Sequence, residues 1–164
     1  MPKVIKMSLS TPSIVNAIRE LKAFRASIEA KKNKLLERLG EIGVSEASVR
    51  FTTAIYDGVN DSSVSLEVTD NGYAIVASGN AVAFIEFGSG VYHNTGEPYP
   101  DPRPEGIVGI GEYGKGFGKR QTWVYRDDAG EKVFTHGNPA AMPMWYASEE
   151  MRSKIEKISK EVFG

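Results

Sequence analysis

Ile14, Leu21, Ile28, Leu35 and Ile42 recur at every seventh position near the start of the chain. Ile18 and Leu39 fill the +4 positions, and Phe24 and Leu36 widen the stripe. An α-helix puts residues at this spacing on one side. Arg25 and Lys32 interrupt the stripe where further apolar residues would continue it. Thr11-Pro12-Ser13 offers capping hydroxyls, and Gly40 and Gly43 offer a stop. The spacing therefore predicts a helix over 13–43. About 28 helical residues at ~1.5 Å rise make a rod of roughly 42 Å. A globule of 164 residues has a radius of gyration of only about 15 Å. Part of the helix then projects or lies along a partner, and a seven-residue repeat favours another helix as that partner; the alternative is that the whole stripe packs on the protein's own sheet.

After Gly43 the pattern changes. Ser48 to Tyr56 alternates with aromatic and β-branched residues, and Val64, Leu66 and Val68 alternate with Ser65, Glu67 and Thr69. Asp70-Asn71-Gly72 is a hairpin signal, and Tyr73 to Ala77 returns. Strands are predicted over 48–77, paired antiparallel because short turns join them. Ala81 to Phe87 is short and apolar; Asn80 can cap it and Gly88 can end it, so it reads as a short helix.

A different regime spans 88–120. Nine of the 17 glycines and four of the eight prolines fall there, which forbids helix or long strand and predicts a flexible loop. Residues 121–134 read as a strand pair turning at Asp127-Asp128-Ala129-Gly130. Pro143 opens a last helix over 143–163, with Met144, Ala147, Met151, Ile155, Ile158 and Val162 along one face. The whole, 1–164, is one domain of α+β class. An antiparallel sheet is covered by a long N-terminal helix and a C-terminal helix, with a long glycine-rich loop.

Charge narrows the function classes. Lys plus Arg is 20 and Asp plus Glu is 21, a net charge of −1, unlike a generally basic nucleic-acid binder. The distribution is uneven. Residues 1–43 hold nine basic and four acidic residues, net +5; residues 44–72 hold one and five, net −4. Opposite ends of this dipole allow copies to pair head to tail. There is no cysteine, which excludes disulfides, thiolate metal sites and cysteine nucleophiles. No apolar run reaches the ~18 residues of a membrane span. No signal-type apolar stretch lies in Met1 to Ser10. The expectation is a soluble protein that works without export, with no membrane partner.

Gly109-Ile110-Gly111-Glu112-Tyr113-Gly114 spells the dinucleotide fingerprint, but glycine and proline on both sides deny it the strand and helix that would make it work. No cofactor is expected. Lys115, Lys119 and Arg120 beside Phe117 could touch nucleic acid, yet Glu112 and Asp101 dilute them; a loop that orders against a protein partner is the preferred reading. His93, His136, Asp101 and Glu86 could converge on a metal, giving a small metal-dependent hydrolase as the alternative function. None of them has helical i,i+4 spacing with another. Glu86 lies among Phe84, Ile85 and Phe87, with Gly88-Ser89-Gly90 beyond. A carboxylate in such a segment needs donors, and the amides of Gly88 to Gly90 or Arg152 would serve. It is expected to be a structural latch between the short helix and the loop.

Ala81-Val82-Ala83-Phe84-Ile85-Glu86-Phe87-Gly88-Ser89-Gly90 resembles the signature of small tail-component, or tail-completion, proteins of long-tailed bacteriophages. Gly137-Asn138-Pro139-Ala140-Ala141-Met142-Pro143-Met144 is similar to that family's second hallmark, at the entry to its last helix. The order of elements agrees over about 13 to 163. Ser89 stands where threonine is usual, Met144 where phenylalanine is usual, and one extra residue separates Pro139 from Pro143. The resemblance implies a structural, non-enzymatic protein of the virion, made in the bacterial host cytoplasm. It would form a neck ring of six or twelve copies between head–tail connector and tail proteins, close to DNA in the channel. Ile14, Ile18, Leu21, Ile28 and Leu35 would serve as interface. Glu86, Phe87, Gly88 and Pro143 would serve as scaffold, and Lys115, Lys119 and Arg120 as the mobile edge.

Overall fold

The computed structural model describes residues 4–90, 92, 120–127 and 129–164. The fold is α+β. Helix α1 (Thr11–Thr53) leads into hairpin strands β1 (Ser63–Thr69) and β2 (Gly72–Ser78), then short helix α2 (Val82–Phe87). A second hairpin, β3 (Trp123–Arg126) and β4 (Lys132–Thr135), precedes helix α3 (Pro143–Phe163). The expected single sheet is two separate two-stranded antiparallel sheets. Most of the 88–120 loop, with His93, Asp101, Lys115 and Lys119, lies outside the described residues.

The first helix does not stop at Gly43. It runs 43 residues to Thr53, about 65 Å at the usual rise, and the strand predicted over Ser48–Tyr56 is its last turns and exit. The two glycines explain the difference. Leu66 and Ile75 face each other across the β1–β2 ladder. A Cβ added at Gly40 would come within 2.4 Å of Leu66 Cδ1, and one at Gly43 within 2.2 Å of Ile75 Cδ1 and 2.8 Å of Met151 Sδ. These glycines let the hairpin and α3 approach the helix; they do not end it. The buried series continues as Gly40, Gly43, Ala47 and Phe51, a helical spacing whose burial overrides the strand preference of the β-branched residues between. The helix end is held from outside, by Asn60 Nδ2 donating to the Phe51 carbonyl at 2.8 Å.

α1 therefore has two halves. The C-terminal half lies against β1–β2 and antiparallel to α3, with Arg38 on Glu161 at 2.7 Å and the Lys31 ammonium 5.8 Å from the centre of the Phe163 ring. The N-terminal half, up to Ala30, is exposed except at Ala17, which is buried, and Ser13, which is half-buried. The core forms at the other end, where Ala47 and Phe51 meet Ala81, Ile85 and Ala147, with Val64, Ala77 and Met144 packed around them. A cleft of about 470 Å³ between α1, the first hairpin and α3 is lined by Leu36, Leu39, Leu66, Ile75, Met151 and Ile155 among others.

Phe51 is 2% exposed, so Phe51→Ala should cost about 3–5 kcal/mol, read from urea unfolding followed by circular dichroism. A cost below ~1 kcal/mol would mean that the last turns of α1 are not core.

Candidate functional site

A helix of six residues cannot satisfy its own ends, because the first and last turns of any helix leave amides and carbonyls without intrahelical partners. α2 has only such turns, and other segments complete it. At its entry the Asp61 carboxylate accepts from the Asn80 amide at 2.8 Å and the Ala81 amide at 2.9 Å. Asn80 was expected to cap by itself; its side chain instead joins in by donating to Asp61 at 3.0 Å. At its exit three successive carbonyls are met from the segment before α3. Asn138 Nδ2 donates to the Phe84 carbonyl at 2.7 Å. The Ala141 amide donates to Ile85 at 2.9 Å and the Met142 amide to Glu86 at 3.3 Å.

The Glu86 side chain returns the service. It is 4% exposed, and its oxygens accept from the Met144 amide at 2.8 Å and the Trp145 amide at 3.1 Å. Those are early amides of α3, whose own N-cap, Met142, sits at φ 51 and supplies no side-chain cap. The carboxylate also lies at the positive end of the α3 dipole. Glu86 thus latches α2 to α3; among the described residues these α3 amides are its donors, where the sequence pointed to the amides of Gly88 to Gly90 or to Arg152. Arg152, the other expected partner, pairs with Glu149.

Beside this latch Ser89 and Asn138 form a reciprocal pair. The Ser89 amide donates to the Asn138 carbonyl at 2.9 Å. Ser89 Oγ donates to Asn138 Oδ1 at 2.6 Å, and the Asn138 amide reaches Ser89 Oγ at 3.3 Å. Asn138 is 3% exposed. Gly88, at φ 73, and Gly137, at φ 81, make the approach feasible: a Cβ would come within 2.7 Å of the Ala140 nitrogen at the first and 2.2 Å of the Ser89 carbonyl oxygen at the second. Phe87 and Pro143 are buried alongside. The two motif stretches, some fifty residues apart, are thereby one hydrogen-bonded unit.

The remaining sequence candidates are scattered. Ile14, Ile18, Leu21 and Ile28 are exposed on the free half of α1, and Leu35 is half-buried. Arg120 is exposed at the edge of the second hairpin. His136 contacts Thr122 Oγ1 and the Gln121 carbonyl, each at 3.1 Å from Nδ1, and its ring lies 4.7 Å from that of Tyr92. Among the described residues no group of three or more His, Asp or Glu side chains is placed to hold a metal; His93 and Asp101 fall outside them. Sequence reasoning missed Asp61 and Asn138. Asp61 lies between the two predicted strand runs, and nothing local to it signals a partner nineteen positions on.

Glu86→Gln keeps the shape but turns one acceptor into a donor facing a backbone amide. It should cost about 1–3 kcal/mol in chemical denaturation, and an unchanged midpoint would remove the latch. Asp61 has a pH signature. The hydrogen bonds from Ala81 and Asn80 hold its carboxyl below the ordinary aspartate value. Its stabilisation is present above that ordinary value and lost as pH falls through the lower folded one. Asp61→Asn should therefore flatten the acid limb of the stability–pH curve below about pH 4, and an unaltered limb would contradict the capping role.

No family model, curated protein or solved structure matches the chain.

Proposed function

We propose that this chain is a structural protein of virion morphogenesis that completes the tail or joins head to tail in a long-tailed phage by assembling into a ring. The observation that carries the reading is the union of the two motif stretches through Glu86, Ser89 and Asn138. The residues by which the sequence resembles tail-completion proteins are those that lock α2 onto α3, and the Glu86 oxygens are engaged in that task. A scaffold role for the motif fits a structural protein better than a hydrolase that would need the same carboxylate free for a metal or water.

The dipolar chain supports ring formation. The +5 of residues 1–43 and the −4 of residues 44–72 suit a head-to-tail contact, which closes when the rotation between copies allows. No helix among the described residues is long and apolar enough to cross a membrane. The partners proposed are further copies of the chain, six or twelve by analogy with phage symmetry, and the connector and tail proteins on either side.

Solution mass across a concentration series, alone and with purified tailless heads and headless tails, tests this. The expected result is a six- or twelve-fold species that adds to one of the two particles, and weakens as salt rises because the contact is electrostatic. A protein that never exceeds a dimer under any of these conditions, or that purifies with stoichiometric metal and hydrolytic turnover, would overturn it.

A further inference from the structure

The contacts of Lys31 with Phe163 and of Arg38 with Glu161 mark the seam that α1 offers to α3. Leu35 and Ile42 fall between and beyond them at the same alternating spacing of three and four. Carried toward the N-terminus, that spacing runs through Ile28, Phe24, Leu21, Ala17 and Ile14. α3 ends at Phe163, level with Lys31, so it covers only the lower part. Above it Ile28 and Phe24 are each 44% exposed, Leu21 55% and Ile14 37%. Ala17, between them, is 6% exposed, but the large side chains of a surface that binds a helix over its lower half thus continue, in the same phase, into solvent.

We propose that this upper seam is covered by the same segment of a second copy, lying antiparallel. Three observations select that occupant. The first is continuity: α3 runs antiparallel to α1, so a second antiparallel helix takes up its line and direction where it stops. The second is the width of the seam. Arg25 and Lys32 flank it on one side, where Ile18 widens it near the tip, and Glu20 on the other, a narrow stripe suited to a pair of helices and not to a larger bundle. The third is charge. Residues 11–21 hold one basic and one acidic residue, whereas residues 22–34 hold five basic and one acidic, net +4. Parallel arms would set two such halves side by side. Antiparallel arms set each against a neutral half and oppose the two helix dipoles. The contact is two-fold and closes on two copies. It takes for a two-fold contact the stripe that the sequence assigned to a ring interface, leaves the charge-paired head-to-tail contact to the ring, and does not rest on the tail-completion reading.

The absence of cysteine from the chain makes the geometry readable by single cysteines and a short bis-maleimide. Leu21→Cys, near the middle of the arm, should cross-link to itself. A mixture of Ile14→Cys and Ile28→Cys should give the mixed dimer, while Ile14→Cys alone should not cross-link. The wild type should sediment as a dimer or a multiple of one. Leu21→Glu with Ile28→Glu should weaken the pairing by about 100-fold or more, since charges would be buried unpaired, with helix content by circular dichroism retained because both side chains face water in the single chain. Self-cross-linking of Ile14→Cys without the mixed 14–28 product would overturn the antiparallel arrangement. A wild type that stays monomeric at high concentration and does not cross-link through Leu21→Cys would overturn the pairing altogether. A dimer without any larger ring would sink the ring reading and leave this one standing.

Discussion

The buried carboxylate of Glu86 sits where three requirements meet. It ends a helix too short to satisfy itself, it begins a helix whose own N-cap offers no side chain, and it is shielded from water. Were it removed, the Met144 and Trp145 amides would lose their acceptor inside the protein, and an unsatisfied buried donor costs more than a typical hydrogen bond contributes. The position of α3 against α1 follows from this. Ala147 joins the core one turn beyond the latch, and Met151 reaches Gly43 after the next. The lower half of α1 is thus held by an arrangement whose polar origin lies in α2.

Asp61 extends the same logic to the other end of α2. It follows α1 and precedes the first hairpin, yet its carboxylate fixes the chain where that hairpin ends. Hairpin, short helix and final helix are therefore linked by two carboxylates and one asparagine. Among the described residues the apolar core is small by comparison, with Phe51 and Ile85 its largest fully buried side chains apart from Pro143. Of the linking groups Glu86 and Asn138 are buried, and fully paired buried polar groups of this kind give specificity through geometry as well as burial.

What the sequence disclosed and what it concealed divide along physical lines. Periodicity announced α1 and α3, and turn chemistry announced the first hairpin, because each is a local property of consecutive residues. Gly40 and Gly43 misled because a glycine that ends a helix and one that admits a neighbouring strand look alike until the neighbour is placed. Ser48–Tyr56 misled because its alternation suited a strand while Phe51 was required by the core. Glu86 stood out as a charge among apolar residues, but its donors lie fifty-eight and fifty-nine positions away, beyond any local pattern. Asn138 carried no such contrast, and its four contacts emerge only when the two stretches meet.

The unequal division of α1 has a mechanical consequence. Its lower turns are clamped by β1–β2 and α3 as far as Lys31, while the span from Thr11 to Ala30 reaches outward for about 30 Å. A rod held at one end converts rotation into displacement: tilting the clamped end by about 10° sweeps the tip through roughly 5 Å at this length. A small change in how α3 seats against α1 near Lys31 is therefore read out at the far end as a larger shift. The helix is a lever whose fulcrum is the end of α3 beside Lys31, and the close packing at Gly40 and Gly43 holds its short arm.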